Sequence, residues 1–225
     1  MPDRRKQIGA CVNPKFCNKP VKIDLHSHTY FSDGHLSPAE LVMRAHTMQL
    51  DALAITDHDT LSALADAHDA QQGHKRALHI VDGVEISTGW HGFDIHIVGL
   101  NVDRHHALLN EKLQEQSAIR NDRAAKIGEK LAKCGFEGVE SKARALAGVG
   151  QVTRAHFARV LVSQYGVPNM DAVFKKYLGK GKRASVKAQW PTFGDAIEWI
   201  QASGGRAVLA HPAHYDMTTK WLRRL

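Results

Sequence analysis

The chain has 225 residues, 43% of them hydrophobic and 24% charged, so it can bury a sizeable core. No stretch approaches the roughly 18 uninterrupted apolar residues of a membrane-spanning helix, which excludes that class, and the apolar content excludes a disordered chain. Lys and Arg number 30 against 23 for Asp and Glu, a formal charge of +7 that favours phosphates or nucleic acid as partners, and 15 histidines supply an unusual stock of metal-competent imidazole.

Residues 1 to 20 contain Pro2, Gly9 and Pro14 between basic flanks and read as a flexible arm. No apolar run with a small-residue cleavage site follows Met1 to Gln7, so a cytoplasmic location is expected. Cys11, Cys17 and Cys134 are odd in number and sparse, which implies a reducing compartment; the C-x5-C of Cys11 and Cys17 has no matching second pair and is weak evidence for zinc. Beyond the arm, apolar and β-branched runs recur at Val21 to Leu25, Ala52 to Thr56, His79 to Ile86, Phe93 to Leu100 and Arg206 to Ala210. Helix-like segments separate several of them, the alternation of an α/β fold with a mostly parallel sheet. Ser37-Pro38-Ala39-Glu40 supplies a capping hydroxyl, a proline at the first helical position and a glutamate that reaches back to the cap. A further helix is expected near Asp59 or Thr60, and a long one from Ala107 to Lys133, closed by Gly135. Helical pieces continue from Thr153 to Leu178, so about residues 105 to 190 read as a helical insertion within one domain spanning 21 to 225.

The chemistry lies at the strand ends. Asp24-Leu25-His26-Ser27-His28 is followed by Asp33-Gly34. Strand residues i and i+2 point to one side, so His26 and His28 can grip one ion while Asp33 approaches from the following loop. Ile55-Thr56-Asp57-His58-Asp59 repeats the arrangement at a second strand end. Gly83-Val84-Glu85-Ile86 ends a third with a carboxylate able to bridge two ions, Asp94-Ile95-His96 lies inside a fourth, and Ala210-His211-Pro212 follows the apolar run Ala207 to Ala210. Singly, each residue reads as a cap, a turn former or a satisfied core group. Their repetition on successive strands points to metal, because buried ionisable groups are costly unless paired or ligated. Asp57 and Asp59 flank His58 and are expected behind the ligands, orienting imidazole or capping the next helix. His105 and His106 sit at a strand-to-helix junction and read as exposed.

The string DLHSHTYFSDG with ITDHDT, GVEIS, DIHIVGL and LAHP, in that order, resembles the PHP family, the polymerase and histidinol phosphatase metallophosphoesterases, over about residues 21 to 225. GQVTRAHFARVLV, YLGKGKRASV and QWPTF resemble the branch of nucleoside 3′,5′-bisphosphate phosphatases and 5′-to-3′ exoribonucleases. The resemblance implies a distorted β/α barrel in which His26, His28 and Glu85 hold a first divalent ion, Glu85, His96 and His211 a second, and Asp33 and His58 a third. Nitrogen and oxygen ligands suit Mn²⁺, Zn²⁺ or Fe²⁺, with manganese expected. Such clustered ions lower the pKa of a bound water, supply hydroxide and clamp the charge that builds on phosphoryl oxygens. The family also carries a late Asp and His in a segment resembling Gly-Ser-Asp-x-His, which completes the first and third ions; it is absent up to Leu225, and the chain is read as C-terminally truncated within the helix-like stretch Thr218 to Leu225.

Arg154 and His156 in Thr153-Arg154-Ala155-His156 are candidates for the substrate phosphate, since guanidinium grips phosphate with two parallel hydrogen bonds. Lys175, Lys176, Lys180, Lys182, Arg183 and Lys187 surround Gly179 and Gly181 and precede Trp190. Such a patch can track a nucleic-acid backbone, with Lys180, Lys182 and Arg183 on RNA and the aromatic for base stacking, although a charge run is usually a solvated face. The expectation is a metal-dependent phosphoesterase acting on nucleotides or short RNA, with no membrane partner and no oligomeric state specified. The rivals are a histidinol-phosphate-type phosphatase on the same scaffold and an impaired RNA- or metal-binding module.

Overall fold

The computed structural model describes residues 21–215 and 218–224; the expected arm at 1 to 20, with Cys11 and Cys17, lies outside them. A five-stranded sheet runs in the order β1 (Ile23–Ser27), β2 (Ala52–Ile55), β3 (His79–Trp90), β4 (Phe93–Leu100), β5 (Arg206–Leu209). Helix α1 (Pro38–Thr47) connects β1 to β2, and α2 (Ala63–Gln72) connects β2 to β3, both pairings being parallel. β3 pairs with β4, and β4 with β5, antiparallel. The sheet is therefore mixed rather than mostly parallel. The reason is local: His91 and Gly92 have φ of 45° and 81°, the two positive values that a tight hairpin turn needs, and the turn folds β4 straight back onto β3.

Between β4 and β5 the chain forms α3 (Ala107–Ala132), α4 (Val139–Ala147), α5 (Arg154–Gln164), α6 (Met170–Val173), a π-helical turn at Phe174–Leu178 and α7 (Phe193–Ala202). Past β5 come a 3-10 turn at Pro212–His214 and α8 (Thr219–Leu222). No helix among the described residues is long and apolar enough to cross a membrane.

The expected start of α1 forms as a capping box, with the Glu40 amide donating to Ser37 Oγ at 3.2 Å and the Ser37 amide to the Glu40 carboxylate at 2.8 Å. α2 begins at Ala63, later than expected. Asp57 and His58 run on beside β3, and Asp59 turns at a φ of 51°, because the Glu85 amide donates to the Asp57 carbonyl at 3.1 Å and the Asp59 amide to the Glu85 carbonyl at 3.0 Å. β3 likewise runs past Glu85 to Trp90, so Glu85 lies inside the strand and not at its end. Apolar side chains of α1, α2, β2 and the start of β3 pack on one side, β3, β4 and α7 share a second cluster, and α3, α4 and α5 form a third among the helices.

Candidate metal centre and adjoining cavity

Pairing register brings the metal-competent residues together. His26 lies in β1 and His28 just beyond it, two residues apart and facing one way. The parallel bridge between His58 and Glu85 sets those two side by side. Across the hairpin Ser87 pairs with His96, which puts Glu85, Ser87 and His96 on one face. The Ala210 amide donates to the His96 carbonyl at 3.0 Å and sets His211 beside His96.

Glu85, 1% exposed, is the hub. Its Oε2 lies 3.0 Å from His26 Nε2, 3.1 Å from His28 Nε2 and 3.4 Å from His58 Nδ1. Its Oε1 lies 2.8 Å from His96 Nδ1 and 2.9 Å from His211 Nε2. Asp33 closes the group, with Oδ1 3.8 Å from His28 Nδ1 and Oδ2 3.6 Å from His58 Nε2. Three trios, His26/His28/Glu85, His28/Asp33/His58 and His58/Glu85/His96, each place ligand atoms close enough for one ion.

The donors fit divalent metal. Ligands about 2.1 Å from an ion stand about 3.0 Å apart in octahedral and about 3.4 Å apart in tetrahedral geometry, which is the spacing found around Glu85. Nδ1 of His58 is buried with no hydrogen-bond partner among the described residues, a lone pair awaiting a cation. Burial would raise the Glu85 carboxyl, but hydrogen bonds from His26, His28 and His96 hold it far below the usual carboxylate range. At Asp33 burial is likewise overcome, chiefly by His58 and then His28, and the group stays ionised. At His58 burial wins over the attraction of Asp33 and Glu85 and pushes the imidazole down to about 4. Burial also lowers His211, whereas at His28 it is outweighed by Glu85, Asp33 and Asp57. Neutral imidazoles and ionised carboxylates are the forms that bind metal, so His58, His211, Asp33 and Glu85 are held ready, whereas His28 would release a proton to an ion.

Behind the metal-competent side chains, Asp57 accepts from the Thr29 amide at 2.7 Å, Thr29 Oγ1 at 2.6 Å and Ser32 Oγ at 2.6 Å. Ser32 spends its proton on Asp57, so at 3.2 Å it accepts from His28 Nδ1–H. That keeps the Nδ1 proton in place and leaves Nε2, which here faces Glu85 at 3.1 Å, as the nitrogen that would turn to an ion. Asp59 has a different task from the one expected. It neither touches an imidazole nor caps α2; its Oδ2 accepts from Arg120 Nε at 2.6 Å and its Oδ1 from the Ser87 amide at 2.8 Å.

Arg120 is the residue that sequence reasoning missed, together with Arg123. Both lie on α3, and with Arg154 at the start of α5 they line a cavity of about 130 Å³ whose other wall includes Asp33, His58 and His96. Trp190, expected as a base-stacking platform, has the Arg120 and Arg123 guanidinium carbons 5.3 and 5.5 Å from its ring centre. Arg123 is pushed down to about 10 by burial and by Arg154, and burial lowers Arg154 as well. Arg154 thus reaches the cavity, but His156 does not line it. Its Nδ1 accepts the Thr153 amide at 3.1 Å, capping α5. His106 similarly caps α3, accepting from the Leu109 amide at 3.4 Å. Lys180 and Lys182 line a second groove, which shares Arg123 and Arg154 with the cavity, and Arg183 is exposed outside it.

Comparison with known proteins gives the same direction. The sequence profile of the family described as PHP domain matches residues 24–201. The chain is 50% identical over 208 residues to the 5'-3' exoribonuclease Rnm of Escherichia coli (strain K12), spanning 92% of this chain and 71% of that protein. It is 39% identical over 206 residues to the 3',5'-nucleoside bisphosphate phosphatase of Chromobacterium violaceum, spanning 91% and 72%. A solved structure of an amidohydrolase from Chromobacterium violaceum, with bound sulfate and no metal, superposes with a TM-score of 0.86 at 38% identity, over 91% of this chain and 72% of that one.

Proposed function

The chain belongs to the PHP domain family and is a metal-dependent phosphoester hydrolase, and from that premise we propose that its substrates are nucleotides or RNA ends carrying a 5′-phosphate. The observation that carries this reading is the shared cavity: the guanidiniums of Arg120, Arg123 and Arg154 face the same space as Asp33, His58 and His96. One phosphate at the metal-ligating wall and a second at the arginine wall describes a nucleoside bisphosphate, and equally the first nucleotide of a 5′-phosphorylated RNA. The names of the Escherichia coli and Chromobacterium violaceum relatives and the sulfate bound in the solved structure support it.

His26, His28 and Glu85 would hold one ion, Glu85, His96 and His211 a second, and Asp33 with His58 a third, giving two to three ions, manganese, zinc or iron. When bound, such ions activate water and neutralise charge on the phosphoryl group. The chain's own residues do the rest. Asp57 and Ser32 hold His28 in its ligating tautomer, and Asp59 holds Arg120 against the cavity wall. Arg154, whose guanidinium makes no hydrogen bond among the described residues, offers its donors to the non-reacting phosphate. Burying these cations together raises their mutual repulsion, and a bound dianion relieves it.

The test compares a nucleoside 3′,5′-bisphosphate with the 3′-monophosphate, and a 5′-phosphorylated oligoribonucleotide with its 5′-hydroxyl form, with histidinol phosphate as the rival substrate. Arg154→Ala is expected to lower kcat/KM about 10- to 100-fold on the 5′-phosphorylated members alone, the loss of charge-assisted hydrogen bonds. An equal loss on both members of each pair refutes the reading. Metal content by elemental analysis checks the centre independently of turnover, and Glu85→Gln is expected to remove most of it.

A further inference from the structure

The cavity of about 130 Å³ is well below the roughly 300–1,000 Å³ that encloses a drug-sized ligand, so it takes the phosphate end of the substrate and leaves the base and any further nucleotides outside. Arg123 and Arg154 also line a second space, an open groove of about 1050 Å³ between the β3–β4 hairpin and the segment after the π-helical turn. Its further cations are Lys130, Lys180, Lys182 and Lys187, against the single carboxylate of Asp94, which lies 3.6 Å from Arg123. Lys130 donates to the Ser185 carbonyl at 2.6 Å and Lys180 to the Gly92 carbonyl at 2.8 Å. Those neutral acceptors fix the ammonium groups in place without neutralising them. Lys182 and Lys187 are exposed, with no partner among the described residues. Phe93 and Tyr215 add aromatic surface to the same groove.

We propose that this groove is the track for a single RNA strand downstream of its first nucleotide, so that it selects oligoribonucleotides over mononucleotides. The inference rests on the nucleotide or RNA reading of the metal centre. Positioned charges along a groove that shares Arg123 and Arg154 with the phosphate cavity suit a repeating phosphate backbone, and the half-buried Phe93, with Lys180 over its ring at 5.1 Å, lends that cation an apolar wall beside the strand. A lone bisphosphate, by contrast, reaches only the arginines at the groove's inner end.

The experiment uses the full chain, the double variant Lys182→Ala/Lys187→Ala, and a control of equal charge change, Lys75→Ala/Lys133→Ala, at exposed positions outside the groove. Binding of a fluorescent 5′-phosphorylated ten-nucleotide RNA is followed by anisotropy across salt concentrations, and kcat/KM is measured for the same RNA and for a nucleoside bisphosphate. The groove variant is expected to bind the RNA at least fivefold more weakly, with a log-affinity against log-salt slope shallower by about 1.4, or about 0.7 for each phosphate that no longer meets a lysine. Its turnover of bisphosphate stays at the wild-type level. Unchanged RNA affinity, or an equal loss in the control variant, overturns the track. Direct binding keeps the two readings separable: a wild-type chain that binds RNA through the groove but hydrolyses neither substrate refutes the proposed activity and leaves the track standing.

Discussion

The two aspartates around His58 show how little residue type decides by itself. Both are 1% exposed, and they lie two positions apart in sequence. Asp57 gathers the Thr29 and Ser32 hydroxyls and acts on His28 through Ser32. Asp59, with a φ of 51°, turns its carboxylate the other way, to Arg120 and the backbone of β3. Asp57→Asn places an amide where only an acceptor fits, and Ser32 loses its fixed role toward His28. Metal affinity is expected to fall about 10- to 100-fold, measured by titrating Mn²⁺ or Zn²⁺ into chelator-treated protein. Unchanged affinity would show that His28 needs no such partner. Asp59→Ala strands a buried guanidinium and is expected to cost about 3–5 kcal/mol of unfolding free energy. Arg120→Met in the same chain should return much of that stability in urea melts, but not activity on 5′-phosphorylated substrates. That split separates the structural task of the pair from its task at the cavity.

At the scale of elements, α3 and α5 carry the parts of the site that the sequence conceals. The strand-end histidines are legible because a fixed spacing of two puts them on one side, whatever the partner strands do. Arg120 is not, because an arginine in a long polar helix ordinarily faces water. Its signal is its place in the stripe Leu109, Leu113, Gln116, Arg120, Ala124 and Ile127, all buried at helical spacing. The hairpin is equally hidden: His91-Gly92 lacks the Asn-Gly or Asp-Gly pair that advertises a tight turn, so from sequence β4 reads as one more parallel strand. On α5 the histidine expected at the substrate phosphate completes a capping box in place of Glu or Gln. His156 is 2% exposed, and burial, aided by Arg159, pushes its imidazole down to about 4. Between pH 6.5 and 4 the unfolded chain takes up a proton that the folded chain refuses, so stability falls as pH falls through that window. Gln at this position keeps the cap without the titration. The loss of unfolding free energy between pH 7 and pH 5 should be about 2 kcal/mol smaller in His156→Gln than in wild type, and identical losses would remove the role assigned to the imidazole.

Across the whole molecule, the candidate centre draws a metal-competent residue from every strand or from the residues just past it: His26 and His28 at β1, His58 beyond β2, Glu85 in β3, His96 in β4 and His211 after β5. The helical layer is tied to the same point. Arg159 of α5 donates to the Asp33 carbonyl at 2.5 Å, and the Gln151 amide donates to the Phe31 carbonyl at 2.7 Å. A Cβ at Gly150 would stand 2.2 Å from the Tyr30 carbonyl oxygen, so the loop before α5 lies directly on the loop after β1 that carries Asp33. Ions held by this set join the sheet across all its strands, and they bind the folded chain far better than an unfolded one that scatters the ligands. Metal at a hundred times its dissociation constant then adds about 2.7 kcal/mol. For a chain of this length that is a rise of about 5–10 °C in Tm. Chelation should lower Tm by that amount, and Mn²⁺ or Zn²⁺ should restore it. Glu85→Gln, which keeps the shape of the hub while removing its charge, should flatten the response. A Tm indifferent to chelator in the wild-type chain would mean that the ligands, although gathered, hold nothing that the fold depends on.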